Sequence, residues 1–121
     1  MGLAYISAKL FRTPSKRKQR VRFLVDSGAV YTVLPRKIWR GLSLVPSREV
    51  EFSLADGTVI TRSVSECTFE VQGKIGTSPV VLGEEADAPL LGMVTLEVLG
   101  LMINPLSREL LPMRMVLANI R

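Results

Sequence analysis

Short runs of alternating polar and apolar residues, separated by turn residues, constrain the fold of this chain more than any other feature. Residues 21–25 alternate in this way, and residues 49–54 repeat the pattern with Val50, Phe52 and Leu54 on one side. A strand places successive side chains on opposite faces, so each run predicts a strand with one buried face. The second run stops at Asp56-Gly57. An Asp-Gly pair is typical of a tight hairpin whose two central residues both have positive φ.

The rest of the chain continues the same pattern with two short helical interruptions. Pro35 suits a first helical position and predicts a helical turn through Leu42. Residues 94–99 predict a second helix that ends at Gly100, because glycine suits the position after a helix. No repeat or change in composition divides residues 1–121, which predicts a single all-β domain, a closed β-barrel with one or two short helices. The predicted strands cover residues 3–11, 21–25, 30–34, 49–54, 59–60, 64–72, 77–82, 101–103 and 110–117.

The composition excludes several classes of chemistry. The 121 residues include no histidine and one cysteine, Cys67. A Ser-His or Cys-His nucleophile, a histidine-ligated metal site and an internal disulfide are therefore excluded. We expect neither a metal nor a cofactor. Carboxylate chemistry would have to use eight glutamates and three aspartates, which are Asp26, Asp56 and Asp87.

The distribution of apolar residues gives an expectation about the compartment. No segment approaches the roughly 18 consecutive apolar residues that span a bilayer. The first ten residues have Lys9 late rather than a basic start, which is not the pattern of a signal peptide. We therefore expect a soluble, cytoplasmic protein with no membrane partner, and a lone thiol that stays reduced.

A cluster of basic residues lies early in a chain whose net charge is +5. Such a cluster can bind nucleic acid, but only Phe11 and Phe23 flank it as aromatics that could stack on bases. We interpret residues 12–22 as the solvated tip of a hairpin, and nucleic acid is not the partner we expect. A nucleic-acid-binding β-barrel remains the weaker alternative. The cluster comprises Lys9, Arg12, Lys16, Arg17, Lys18, Arg20 and Arg22.

The strongest local motif is an apolar strand that leads directly into Asp26-Ser27-Gly28-Ala29. The strand would hold the carboxylate at a fixed place on the edge of the core. The Ser27 hydroxyl can stabilise the loop, and Gly28 lets the backbone approach a ligand closely. A plain Asp-Ser-Gly turn would explain these four residues equally well.

Two later motifs favour a functional interpretation, and together the three resemble the retropepsin-like aspartic proteases, which include the retroviral proteases. The first motif is Asp-Ser-Gly-Ala at 26–29, with Thr-Val-Leu at 32–34 behind it. The second is Ala-Asp-Gly-Thr at 55–58, and the third is Leu-Leu-Gly at 90–92 before a short helix at 96–99. The prokaryotic single-domain members are the most similar, and order and spacing agree over nearly the whole chain.

The resemblance implies a closed barrel that acts as a symmetric homodimer on a polypeptide substrate without a cofactor. It assigns Asp26 to catalysis. Ser27, Gly28 and Ala29 would support the catalytic loop, and Leu91 and Gly92 would pack beneath it. Substrate would contact a hairpin flap and a wall, at Ala55, Asp56, Gly57, Thr58, Val30 and Tyr31. The plain hairpin with an Asp-Gly turn is the alternative for the flap.

The chain departs from the retroviral members at two linked places. Val30 and Tyr31 occupy the positions where those members have aspartates that bind the substrate backbone. Met93 occupies the position of the arginine that pairs with one of them. Both partners are replaced together, so the resemblance implies the same fold with different substrate contacts at this wall.

Hydrolysis by carboxylates requires one group to take a proton from water and another to give a proton to the carbonyl oxygen. Two carboxylates held together share one proton, because both cannot ionise cheaply. The chain has one Asp-Ser-Gly motif, so it supplies half of such a site and a second copy must supply the other Asp26. We therefore predict an aspartic endopeptidase. A non-catalytic module of the same fold, which dimerises and binds peptides, remains the alternative.

Overall fold

Residues 4–118, which the computed structural model describes, are mostly β-strand with two short helices. This confirms the all-β expectation. No helix in this part of the chain is long and apolar enough to cross a membrane. In chain order, the elements are β1 (Tyr5–Phe11), β2 (Gln19–Val25), β3 (Thr32–Leu34), α1 (Arg36–Gly41), β4 (Arg48–Ser53), β5 (Val59–Val71), β6 (Lys74–Leu82), β7 (Leu90–Leu91), α2 (Met93–Val98), β8 (Leu101–Ile103) and β9 (Leu110–Pro112).

Seven strands form one sheet in the order β1-β2-β7-β3-β6-β5-β4. The long strand β5 also pairs with β1, so the strand pairing passes from β1 through β2, β7, β3, β6 and β5 and returns to β1. Most pairs are antiparallel, but β2 pairs with β7 and β3 pairs with β6 in parallel. The strands β8 and β9 form a separate antiparallel pair.

The inward faces of these strands form one hydrophobic core. Phe23 of β2 and Phe69 of β5 are fully buried, and their ring centroids lie 6.0 Å apart. Leu91 of β7 and Leu96 of α2 are also fully buried. The second helix is therefore anchored in the core directly behind the strand that precedes it.

Two predicted strands are shorter in the structure. The strand predicted at 110–117 ends at Pro112, because its partner β8 begins only at Leu101. The Gly100 carbonyl still accepts the Met113 N–H at 2.7 Å, but Gly100, with φ of 69°, follows α2 and the pairing ends there. The strand predicted at 30–34 covers only 32–34. In the first predicted strand, residue 3 lies outside the described residues.

The connection expected between the strands predicted at 64–72 and 77–82 is shorter in the structure, and both strands are longer. Gln72 and Gly73 both have positive φ, 49° and 78°, and form a tight turn that pairs Val71 with Lys74. Residues 59–71 form one strand instead of two, because β4 pairs with its first half and β6 with its second half. The predicted helices are present, with Pro35 just before the first one and Gly100 after the second.

Candidate active site

The strand β2 carries Asp26 to the edge of the core. It pairs in parallel with β7, with Val25 opposite Leu91. The backbone N–H of Asp26 then donates a hydrogen bond to the Leu91 carbonyl at 3.2 Å. Asp26 is half-buried, so its carboxylate is held by the sheet but remains open on one side.

The residues after Asp26 form a tight loop around its own carboxylate. The Gly28 N–H donates to Asp26 Oδ1 at 2.8 Å, and the Ala29 N–H donates to the Asp26 carbonyl at 3.1 Å. A Cβ at Gly28 would lie 3.2 Å from Asp26 Oδ1, which is tighter than an ordinary contact. Ser27 and Gly28 are exposed, whereas Ala29 is half-buried.

The start of α2 supports this loop from below. The N–H groups of Met93 and Val94 donate to the carbonyls of Ala29 and Val30 at 2.9 and 3.0 Å. Gly92 packs against the loop backbone so closely that a Cβ there would overlap the Tyr31 carbonyl carbon. Only glycine fits at this position, which explains the Leu-Leu-Gly motif physically.

A buried network of three hydroxyls lies under the loop, and sequence reasoning did not identify it. Thr95 of α2 bonds to Thr32 of β3 at 2.6 Å and to Ser78 of β6 at 2.8 Å, measured between hydroxyl oxygens. The Gly92 N–H donates to Thr32 Oγ1 at 3.0 Å. Thr95 and Ser78 carry no local signal for this role, because their partners are distant in sequence.

An open groove of about 440 Å³ brings Asp26 together with the predicted wall and part of the predicted flap. Of the site residues predicted from sequence, Asp26, Gly28, Ala29, Val30, Tyr31 and Ala55 line it. Leu91 and Gly92 are buried beneath, and Asp56, Gly57 and Thr58 lie beyond its lining at the exposed hairpin tip. The rest of the lining is mainly apolar and includes Val33, Phe52, Leu54, Ile60, Val81 and Leu90.

The hairpin of β4 and β5 has a different turn from the one predicted. Only Gly57 has positive φ, at 87°, and the loop is closed by the Leu54 N–H, which donates to the Thr58 carbonyl at 2.7 Å. This is a three-residue loop with glycine at its left-handed position. Asp56 accepts the Thr58 N–H at 2.9 Å, and hydrogen bonds from Thr58 lower the pKa of its carboxyl. Asp56 therefore stabilises the turn as an exposed carboxylate.

Tyr31 connects the wall of the groove to the hairpin. Its ring meets Phe52 of β4 edge to face, with centroids 5.9 Å apart. Its hydroxyl accepts a hydrogen bond from Arg48 Nη2 at 3.2 Å. The residue that replaces an aspartate in the retroviral pattern thus contacts the hairpin of its own chain.

Two charged residues line the groove that sequence reasoning did not place there. Arg62 Nη2 forms an ion pair with Glu84 Oε1 at 3.0 Å, and Asp87 Oδ2 accepts the Glu84 N–H at 2.6 Å. Arg62 lies in β5 and Asp87 in the loop before β7, and sheet pairing rather than a local motif brings these two segments to the groove. Within residues 4–118, no three His, Cys, Asp or Glu side chains lie close enough to hold a metal ion.

Comparison with known proteins identifies a family. The sequence profile of the family described as "gag-polyprotein putative aspartyl protease" matches residues 16–98. No curated protein sequence matches the chain.

Solved structures with the same fold come from retroviruses. The EIAV protease complexed with the inhibitor HBY-793 has 16% identity and a TM-score of 0.62, over 96% of this chain and 94% of that one. The simian foamy virus (mac) protease has 20% identity and a TM-score of 0.56, over 77% of this chain and 91% of that one. A foamy viral protease-reverse transcriptase in complex with an RNA/DNA hybrid has 15% identity and a TM-score of 0.60, and this chain covers 13% of it.

Proposed function

This chain belongs to the gag-polyprotein aspartyl protease family, and we propose that it is an aspartic endopeptidase that hydrolyses peptide bonds as a symmetric homodimer. The observation that carries the proposal is the placement of Asp26. Its carboxylate lies at the end of a buried strand, in a groove that a hairpin borders on the other side. The groove is open and its walls are mainly apolar, which suits an extended peptide with apolar side chains.

The chemistry follows from a pair of Asp26 carboxylates, one from each subunit. The two share one proton, because ionising both at close range is costly. The ionised carboxylate takes a proton from a water molecule, which attacks the peptide carbonyl carbon. The protonated partner donates its proton to the carbonyl oxygen, which gives a tetrahedral diol. The C–N bond then breaks as the nitrogen takes a proton from the newly protonated carboxyl and the other carboxylate takes a proton from a diol hydroxyl, so the products are an acid and an amine and the pair again holds one proton. The pair titrates as a unit rather than as two separate groups.

Dimerisation completes the site. Each chain has one Asp-Ser-Gly motif, and the other two aspartates have different surroundings. Asp56 is bonded to its own turn and Asp87 to the Glu84 backbone. The return of strand pairing from β5 to β1 supports a closed barrel that holds the catalytic loop rigidly enough to face a second copy.

The hairpin formed by β4 and the start of β5, at residues 50–62, is the proposed flap. Ala55 lines the groove near its open side, and Asp56, Gly57 and Thr58 continue to the tip. A Cβ at Gly57 would meet no other atom within 4 Å, so the space around this backbone is open to a substrate. Opening and closing of such a hairpin would admit substrate and exclude water.

Subunit mixing tests both halves of the proposal. Unaltered protein is mixed with an equal amount of Asp26→Asn protein, and cleavage of an unfolded protein is followed across pH 3 to 8. Random pairing leaves about half of the unaltered subunits in homodimers, so cleavage should fall about twofold. A matched addition of Glu66→Gln protein, altered at an exposed carboxylate outside the groove, should raise cleavage instead.

Two results would contradict the proposal. If Asp26→Asn protein leaves cleavage by the unaltered protein unchanged although mixed dimers form, each chain carries its own complete site. If the unaltered protein binds unfolded polypeptide but does not cleave it anywhere in this pH range, the chain is a non-catalytic binding module.

A further inference from the structure

The outward face of the β1–β2 hairpin concentrates positive charge. Strand pairing places Lys9 opposite Arg20 and Ser7 opposite Arg22. These four residues are exposed and point away from the core, in contrast to the buried Ala8 and Val21 between them. The connection between the strands adds Arg12, Lys16, Arg17 and Lys18, all exposed. We call Lys9, Arg20, Arg22 and the basic residues of this connection the basic face.

Little on this face neutralises the charge. Lys18 forms an ion pair with Glu70 at 2.7 Å, and the hydrogen bond and charge of Lys18, with the charge of Lys9, lower the pKa of Glu70. Within residues 4–118, the other basic residues of the face form no ion pair. Like charges directly opposite each other, as at Lys9 and Arg20, destabilise a strand pair. Glu70 of β5 lies opposite Lys9 on its other side, so the charge that a bound anion would offset is concentrated at Arg20 and Arg22.

Folding also brings aromatic rings to this face. The Arg22 guanidinium lies 4.2 Å from the centre of the Tyr5 ring, and Tyr5 is 47% exposed. Lys18 Nζ lies 5.3 Å from the centre of the Phe11 ring. The sequence argument against nucleic acid depended on the scarcity of aromatics near the basic residues. Strand pairing supplies Tyr5, which lies 17 positions before Arg22 in the chain.

A depression of about 280 Å³ lies beside the Lys9 and Arg20 pair. Its lining combines the two cations with a hydroxyl and with the tight turn between β5 and β6, at Ser7, Lys9, Arg20, Glu70, Gln72 and Gly73. A depression with cations on one side and a single carboxylate on the other has room for a phosphate group of an extended strand.

From these observations we propose that the basic face binds the phosphate backbone of single-stranded nucleic acid, with Lys9, Arg20 and Arg22 as its centre. Cations along a strand neutralise successive phosphates, and an exposed aromatic ring beside them offers a stacking surface for a base. Such binding is independent of sequence and decreases steeply as salt rises. The face is separate from the groove at Asp26, so this binding does not depend on peptide hydrolysis.

Fluorescence anisotropy with a labelled single-stranded oligonucleotide, measured from 50 to 200 mM salt, tests the proposal. The test variant is Lys9→Ser/Arg20→Ser/Arg22→Ser. The control is Lys37→Ser/Arg40→Ser/Arg114→Ser, which removes the same charge from exposed positions elsewhere. At low salt, the affinity of the test variant for the oligonucleotide should be lower by at least about tenfold. Its slope of log affinity against log salt should be smaller by about 2, since each phosphate contact contributes about 0.7 for a single strand.

Three outcomes would overturn the proposal. An equal loss in the control variant would show a general effect of net charge. No oligonucleotide binding by the unaltered protein, with binding to vesicles rich in phosphatidylserine, would identify an acidic membrane surface instead. No binding to either would show that the face is only solvated. Thermal melting of both variants verifies that they are folded.

Discussion

The hydroxyl oxygens of Thr32 and Thr95 lie 2.6 Å apart in the core, although 63 residues separate them in the chain. Thr32 follows the Asp26 loop, and Thr95 belongs to the helix that supports it. Thr32 also accepts the N–H of Gly92, and Thr95 also bonds to Ser78. Two buried hydroxyls therefore tie the loop that carries Asp26 to the helix beneath it.

Replacement of Thr32 by valine should destabilise the protein by about 1 to 3 kcal/mol, because the Gly92 N–H and the Thr95 hydroxyl lose a buried partner while the shape is kept. Denaturant unfolding measures this loss. Thr32→Ser retains the hydroxyl and is the matched control, which should keep these hydrogen bonds and lose only a methyl group. If the Thr32→Val protein were as stable as the unaltered protein, the network would be incidental to the fold.

Asp26→Asn should abolish hydrolysis while preserving the fold. The amide oxygen of asparagine can still accept the Gly28 N–H that Asp26 accepts at 2.8 Å, so the loop should keep its shape. The general base and the shared proton are both lost. The dimer should not weaken, because the repulsion between two carboxylates is removed. Cleavage assays and thermal melting compare it with Glu66→Gln, which alters an exposed carboxylate outside the groove, and cleavage by the Asp26→Asn protein near the unaltered rate would mean that another group performs the chemistry.

The sequence predicted the parts of the fold that depend on local pattern. Alternating runs predicted most strands, and the apolar strand before Asp26 predicted where the carboxylate lies. Gly100 was placed correctly because a helix end is a local problem. Gly92 was placed by the family resemblance, since the backbone that it approaches, at Tyr31, is distant in the chain. The flap hairpin was predicted from Asp56-Gly57, but its turn type was not, since Gly57 alone adopts positive φ.

The parts that could not be predicted are set by pairing between distant segments. Ser78 and Thr95 carry ordinary hydroxyls whose partners are decided by sheet order. Arg62 and Asp87 reach the groove because β5 and the loop before β7 border it. Tyr5 approaches Arg22 only through the register of β1 with β2. None of these has a signature in its own neighbourhood of the chain.

Tyr31 should limit the mobility of the flap strand β4. Tyr31→Ala removes the edge-to-face contact with Phe52, which is worth about 0.5 to 1.5 kcal/mol, and also the hydrogen bond from Arg48. Amide hydrogen exchange in residues 48–53 should therefore become faster. Tyr31→Phe keeps the ring and loses only an exposed hydrogen bond, so its exchange should stay close to that of the unaltered protein. Equal exchange in all three proteins would show that the contact does not hold the hairpin.

The Cys67 thiol should be unreactive in the folded protein. Burial raises its pKa to about 12, so at pH 8 almost no thiolate, the reactive form, is present. A colorimetric disulfide reagent should label it only after denaturant is added. Stability should also fall as the pH rises from about 9 toward 12, because the unfolded chain ionises this thiol first, near 8.5. Rapid labelling of folded protein would place the side chain at the surface.

Replacement of Lys16, Arg17 and Lys18 by serine should leave hydrolysis of a short peptide nearly unchanged. The register places Gln19 opposite Leu10 at one end of the hairpin and Leu24 opposite Tyr5 at the other, next to Asp26. An extended strand rises about 3.3 Å per residue, so the connection lies roughly 20 Å from the Asp26 carboxylate. The ion pair of Lys18 with Glu70 is exposed, so its loss should cost at most about 1 kcal/mol. If the triple replacement destroyed hydrolysis at unchanged dimer content, the connection would have to reach the active site, either of its own chain or of the partner.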